Sequence, residues 1–363
     1  MNVYVRQLCA ALARSGVQCE VFTRADDPAC PAVVAVEPGF RVHHVPAGPV
    51  APVPKEQLPT MVGEWTDAVR ARLAKLDREG VAVDAIHANY WLSGQAGHVL
   101  KHELDVPLVV TFHTLDRVKA DASPEELWAH EPARRAAAEA DIVRCADAVL
   151  ASCDVEAEQL ATLYGAEPGR VAVVAPGVEH AFFGPGDRAQ ARRAIGFATD
   201  EPIVLFVGRI QPLKGPATAV EAVSLVQRDG PRARLVLIGG PSGPHGSEEL
   251  AAVQARVKAL GIGDRVHLLP AQPHEMLSTF YRAADACLVP SHSESFGLVA
   301  LEAAACGVPV VASAVGGLTT LIDHGRTGYL VDSRRAEDFA RPLGWLLRDP
   351  ALAARLGRAA AES

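Results

Sequence analysis

Short apolar runs recur along the chain, each followed by a longer stretch whose apolar residues return every three or four positions. In the first half, Cys19–Thr23, Phe40–Val45, Val83–His87, Leu108–Phe112, Ala148–Ser152 and Arg170–Val174 read as strands. Asn2–Ser15, Pro59–Arg78, Leu92–Leu104, Glu125–Arg144 and Val155–Tyr164 carry helical spacing. In the second half, Ile203–Val207, Leu235–Ile238, Val266–Leu269, Ala286–Val289 and Pro309–Ala312 predict buried strands. Pro216–Arg228, Glu248–Leu260, Glu275–Ala284, Gly297–Ala305 and Arg335–Leu347 predict the helices between them. This alternation gives parallel sheets covered on both faces. The Gly- and Pro-rich stretch from Pro176 to Asp187 marks a linker. The expected fold is therefore α/β: two doubly wound, Rossmann-like domains, 1–178 and 191–363, joined through 179–190 and facing across a cleft. Ligands of such sheets bind beyond the carboxyl ends of the strands. The chain opens in a helix with no strand before it and stops in or just after another. Both ends are thus expected to be truncated relative to a complete domain pair.

Composition narrows the function classes. The 363 residues suffice for about two domains. With 49% hydrophobic and 21% charged residues, wholesale disorder is excluded. A net charge of −8 argues against a nucleic-acid partner, though a local basic cluster could still hold a small anion. No apolar run reaches the roughly 18 residues of a membrane span. Arg6 and Arg14 interrupt the N-terminal apolar pattern, so it is no secretory signal. Seven cysteines without a CxxC pair fit neither a zinc ribbon nor a disulfide framework, and a reduced cytoplasmic enzyme is expected.

Two segments carry the chemistry. In Glu294-Ser295-Phe296-Gly297-Leu298-Val299-Ala300-Leu301-Glu302, two carboxylates flank a helix start directly after a buried strand. Ser293 and Ser295 are candidate caps, and Gly297 leaves room for a ligand. The amides of Phe296, Gly297 and Leu298 could meet a phosphate. Each ionised carboxylate can accept from two neighbouring hydroxyls, as a sugar ring or ribose diol offers. The other segment is Gly208-Arg209-Ile210-Gln211-Pro212-Leu213-Lys214-Gly215, after the strand ending at Val207. It lacks the P-loop order, and its two cations suit a diphosphate. No Asp-x-Asp occurs, so fixed cations rather than a metal would balance the diphosphate.

Together these segments resemble the GT4-type retaining glycosyltransferases of the GT-B fold. The resemblance implies a nucleotide-sugar donor with Glu294 on the transferred sugar, Glu302 on the ribose, and Arg209 and Lys214 on the diphosphate. Gly208, Gly316 and Gly317 would line the same pocket. The first half resembles the D-inositol-3-phosphate glycosyltransferases of mycothiol synthesis through Met1-Asn2-Val3-Tyr4-Val5, Phe22-Thr23-Arg24, Tyr90-Trp91-Leu92-Ser93-Gly94-Gln95 and His113-Thr114-Leu115. That family implies transfer of N-acetylglucosamine from UDP-GlcNAc. The acceptor phosphate would be held by Lys55, Tyr90, Thr114 and Arg135, the last beside Arg134. His113 would face the transferred sugar, and Asn2 would lie at the acceptor. Magnesium is associated with that family near Tyr281-Arg282-Ala283-Ala284, although those side chains suggest no hard-cation cage. Other acceptors, such as a sugar phosphate in a sucrose-phosphate synthase-like reaction or an aminocyclitol, stay open. So do an inactive nucleotide-sugar-binding paralogue and a homodimer.

Overall fold

The computed structural model describes residues 2–122, 132–197, 200–243 and 245–363. It divides into two compact units, Met1–Val174 and Ala175–Ser363. Met1 itself and residues 125–131 of one expected helix lie outside the described residues.

The first unit opens with helix α1 (Asn2–Arg14), followed by β1 (Cys19–Arg24), β2 (Val33–Glu37) and β3 (Phe40–Val45). These strands form a sheet in the order β1-β3-β2, with β1 and β3 parallel and β2 antiparallel to β3. The short, mostly exposed β2 departs from the all-parallel expectation. Only Pro38 and Gly39 separate it from β3, and so tight a connection joins antiparallel strands. Gly39 supplies the left-handed turn, at a φ of +80°. After α2 (Val62–Arg78) comes a second sheet. Its parallel strands β4 (Ile86–Asn89), β5 (Leu108–Thr111), β6 (Ala148–Ala151) and β7 (Val171–Val173) lie in chain order. Between them run α3 (Trp91–Leu104), α4 (Asp116–Ala122), α5 (Pro132–Cys145) and α6 (Asp154–Tyr164). β4 begins later than its apolar pattern suggests, because exposed Asp84 and Ala85 stay outside the ladder. Leu108, Val110, Ile142, Val149 and Leu160 fill the core of this sheet.

In the second unit, α7 (Arg188–Ala194) starts inside the stretch read as linker, with the Asp187 carboxylate accepting from Gln190 N at 2.6 Å. A six-stranded parallel sheet follows, in the order β10-β9-β8-β11-β12-β13. Its strands are β8 (Ile203–Val207), β9 (Arg234–Ile238), β10 (Val266–Leu269), β11 (Ala286–Val289), β12 (Val310–Ser313) and β13 (Gly328–Val331). The helices are α8 (Pro216–Asp229), α9 (Gly246–Ala259), α10 (His274–Ala283), α11 (Leu298–Ala305), α12 (Leu318–Leu321), α13 (Ala336–Arg348) and α14 (Pro350–Ala361). Alternate strand residues feed two cores. Val204 and Phe206 pack with Val220, Val223 and Leu343 on one face. Leu205 and Cys287 pack with Phe280, Tyr281 and Ala303 on the other. From β8 the chain runs outward to β9 and β10, then returns to β11 on the opposite side. The loops after β8 and β11 therefore diverge at a topological switch point, where such sheets accept ligands.

Candidate active site

Lys214 and Glu294 meet over that switch point. Lys214 ends the turn after β8, Glu294 lies in the loop after β11, and Lys214 Nζ donates to Glu294 Oε2 at 2.6 Å. Both side chains are partly buried, about one-fifth exposed, so the pair remains reachable by a ligand. Four backbone contacts fix it. His292 N donates to Leu213 O at 2.8 Å, tying one loop to the other. Gly215 has a φ of +65°, and a Cβ there would lie 2.3 Å from Pro290 O. Gly316 has a φ of +50°, and its Cβ would lie 1.8 Å from the Glu294 carbonyl oxygen, while Gly317 N donates to Ser295 O at 3.2 Å. The Gly316-Gly317 pair thus acts on Glu294 by letting the backbones touch. Gly208 is approached in the same way by Gly239. Arg209, in the loop that carries Lys214, is exposed.

Helix α11 begins at Leu298 with Gly297 at its N-cap, in a left-handed conformation and without a side-chain cap. The expected serine caps, Ser293 and Ser295, are therefore not used. The backbone turns into the helix through Gly297 instead, because the position demands a φ of +105°. Phe296 is buried, and the first amides of α11 lack intrahelical acceptors. Glu302 is buried within this helix, with Oε1 paired to His274 Nε2 at 2.7 Å and Oε2 accepting from Tyr281 Oη at 2.8 Å. Glu302 in turn holds the His274 pKa above its ordinary value. Nothing in the local sequence marked His274 or Tyr281 as its partners, since they arrive from α10.

The first unit gathers a second group at the ends of β4 and β5. Tyr90 caps α3 at a φ of +80°, a conformation that costs a non-glycine residue energy and marks a held position. The Arg135 guanidinium lies 5.1 Å over the Tyr90 ring. Its Nη2 donates to Thr114 O at 2.7 Å and Thr114 Oγ1 at 3.1 Å, and its Nε donates to Glu139 Oε1 at 2.7 Å. Glu139 is fully buried and also accepts from Tyr164 Oη at 2.5 Å and Asp116 N at 2.9 Å. A buried carboxylate thus aims Arg135, whereas Arg134 faces solvent. His113, at a φ of +63°, pairs through Nε2 with Asn89 Oδ1 at 2.9 Å and meets the Tyr4 ring edge-on at 4.9 Å between centroids. Burial pushes its pKa down to about 4, so the imidazole is neutral at neutral pH.

Tyr90, Thr114 and Arg135 are therefore brought together, with His113 beside Thr114 in the chain. Lys55 is not part of that contact set. It sits on the turn Lys55–Met61, is 65% exposed, and among the described residues has Glu56 within ion-pair range, at 3.9 Å. Asn2 is exposed at the start of α1, two residues before Tyr4. Arg24, which the sequence flagged only as part of a motif, donates to Pro49 O at 2.8 Å and Ala51 O at 2.7 Å and so pins the loop leading to Lys55. At the segment linked to magnesium, Tyr281 is buried against Glu302. Arg282 is itself a cation, donating to Gly184 O at 2.8 Å. These side chains do not form a hard-cation cage.

The description "Glycosyl transferase 4-like domain" matches residues 1–177, and "Glycosyl transferases group 1" matches residues 187–363. The chain is 48% identical over 364 residues to a D-inositol 3-phosphate glycosyltransferase of Acidothermus cellulolyticus, covering 99% of this chain and 80% of that protein. It is 47% identical over 356 residues to one of Actinosynnema mirum, covering 97% and 84%. The chain belongs to the GT4-type glycosyltransferases. Among solved structures, a sucrose-phosphate synthase from Thermosynechococcus elongatus matches this glycosyltransferase with a TM-score of 0.90 at 36% identity. That match covers 99% of this chain and 87% of the other. The glycosyltransferase has the GT-B fold of two Rossmann-like halves and is a hexosyltransferase. Among its described residues no helix is long and apolar enough to cross a membrane.

Proposed function

We propose that this glycosyltransferase moves N-acetylglucosamine from UDP-GlcNAc to 1D-myo-inositol 3-phosphate, with retention at the anomeric carbon, as a step of mycothiol biosynthesis. The observation that carries the reading is the Lys214–Glu294 pair at the switch point: a cation for a diphosphate beside a carboxylate for sugar hydroxyls. The 47–48% identity to D-inositol 3-phosphate glycosyltransferases supports the acceptor. Arg135, Tyr90 and Thr114 offer the charge and hydroxyls that a phosphomonoester needs, with Lys55 as the second cation.

In this reading Arg209, Lys214 and the amides opening α11 receive the diphosphate, Glu294 accepts from the transferred sugar and Glu302 from the ribose. As the bond between the anomeric carbon and the phosphate oxygen breaks, its electron pair leaves with UDP. The cations stabilise that growing charge. The acceptor hydroxyl attacks from the same face, and its proton passes to the departing phosphate. Neutral His113 offers a hydrogen bond to the sugar rather than a charge. The 36% identity to a sucrose-phosphate synthase favours one second reading, a hexose phosphate as acceptor on the same residues. UDP release from UDP-GlcNAc, measured side by side with inositol 3-phosphate and a hexose 6-phosphate, decides between them. Fast release with the inositol phosphate alone is expected, and preference for the hexose phosphate would overturn the acceptor.

A further inference from the structure

On the first unit, away from the residues assigned to the reaction, His98 and His102 lie one turn apart on α3, and Cys145 ends α5. His102 Nε2 and Cys145 Sγ are 3.5 Å apart, and one ligand atom from each of the three residues lies within 4.8 Å of the others. The His98 and His102 rings approach edge-to-face with centroids 5.4 Å apart. We propose that these three side chains bind a zinc-class divalent cation, with solvent as the fourth ligand.

The chemistry of the set supports this. Two imidazoles and a thiolate are borderline-soft donors, which favour zinc over magnesium or calcium. With Zn–N near 2.05 Å and Zn–S near 2.3 Å, tetrahedral coordination places a nitrogen and a sulfur about 3.6 Å apart. The His102–Cys145 pair already has that separation. The third ligand atom, from His98, lies within 4.8 Å of the other two. The site is accessible, since His102 is exposed and His98 and Cys145 are half-buried. It is also framed. Lys101, next to His102, reaches across to donate to Cys145 O at 2.9 Å and Asp147 Oδ2 at 2.7 Å. Farther up, Gly94 lets α3 approach α5, since a Cβ there would lie 2.8 Å from Ile142 Cδ1. The helices are thus held together at both places before any ion arrives. On binding, the thiol releases its proton and the sulfur donates as thiolate.

The ion would cross-link the two helices whose opposite ends carry Tyr90 and Arg135. The test uses the whole protein, stripped with chelator and titrated with cobalt(II) alone, then with zinc. One equivalent of cobalt should give a thiolate-to-metal charge-transfer band that zinc displaces. His102→Ala should weaken binding at least about tenfold, since even changes outside the ligand set cost that much. Cys145→Ser should abolish the band, while Cys30→Ser, at an exposed cysteine elsewhere, should leave it unchanged. Absence of the band in the wild type, its persistence in Cys145→Ser, or unweakened binding in His102→Ala would each overturn the proposal.

Discussion

Lys214 Nζ and Glu294 Oε2 lie 2.6 Å apart although 80 positions separate them in the chain. They meet because β8 and β11 are neighbours whose connections leave in opposite directions. If this pair holds the donor, Lys214→Ala should lower kcat/KM at least about 100-fold, the scale of removing one preorganised charge partner. The melting temperature should move by no more than about 2–4 °C, because the pair is partly solvated. Coupled-assay UDP release and thermal circular dichroism check both parts. Near-normal turnover in Lys214→Ala or Glu294→Ala removes the site assignment.

Gly316→Ala tests the backbone that positions Glu294. A methyl group at φ +50° would lie 1.8 Å from the Glu294 carbonyl, so the loop must shift. Strain of about 1–3 kcal/mol is expected in urea unfolding, with loss of turnover. Gly325→Ala, at φ +80° but with open space around its Cβ, should leave turnover intact.

Arg135→Lys keeps the charge but loses the planar fork that spans Thr114 and Glu139. The KM for the phosphorylated acceptor should rise about tenfold or more while the KM for the nucleotide sugar stays within about twofold. Initial rates varied in both substrates report this split. Equal changes in both constants would show Arg135 to be merely structural.

His113 gives a pH signature. Its pKa is about 4 when folded, against an ordinary value of 6.5. Between those values the unfolded chain binds a proton that the folded chain does not. Stability therefore falls as pH drops from about 6.5 toward 4. His87, also depressed by burial, acts in the same direction. His113→Asn tolerates the left-handed backbone and should flatten the slope in that window by up to about 1.4 kcal/mol per pH unit. Urea unfolding of both proteins at pH 4.5 and 6.5 measures the difference, and parallel slopes contradict the assignment.

Strands buried on both faces were legible from apolar runs alone. Ile203–Val207 and Ala286–Val289 have the bounds that their patterns predict. The mostly exposed β2 is not among the predicted strands, although Val33–Val36 is an apolar run closed by Glu37-Pro38-Gly39; its residues stay largely in solvent, so the run does not mark core. Nor is α7 among the predicted helices; its sequence is dominated by arginine and alanine and is defined by its Asp187 cap. The charged residues of the two loops could be picked out by kind. Their supports could not: Asn89 beside His113, and His274 and Tyr281 on Glu302, come from other elements, while Glu139, one turn after Arg135 on α5, reads from sequence as an ordinary helix-surface carboxylate. Ser293 and Ser295 precede a turn that Gly297 completes at a φ of +105°, so neither serine is the N-cap of α11.

The most direct measurement is proton NMR of the wild-type protein and Glu294→Gln mixed with UDP-GlcNAc and 1D-myo-inositol 3-phosphate. The wild type should release UDP and form one glycoside, in equal amounts, with the donor's anomeric configuration preserved, while Glu294→Gln should form almost none. An inverted glycoside, or comparable product from Glu294→Gln, would contradict a retaining transfer centred on the Lys214–Glu294 pair.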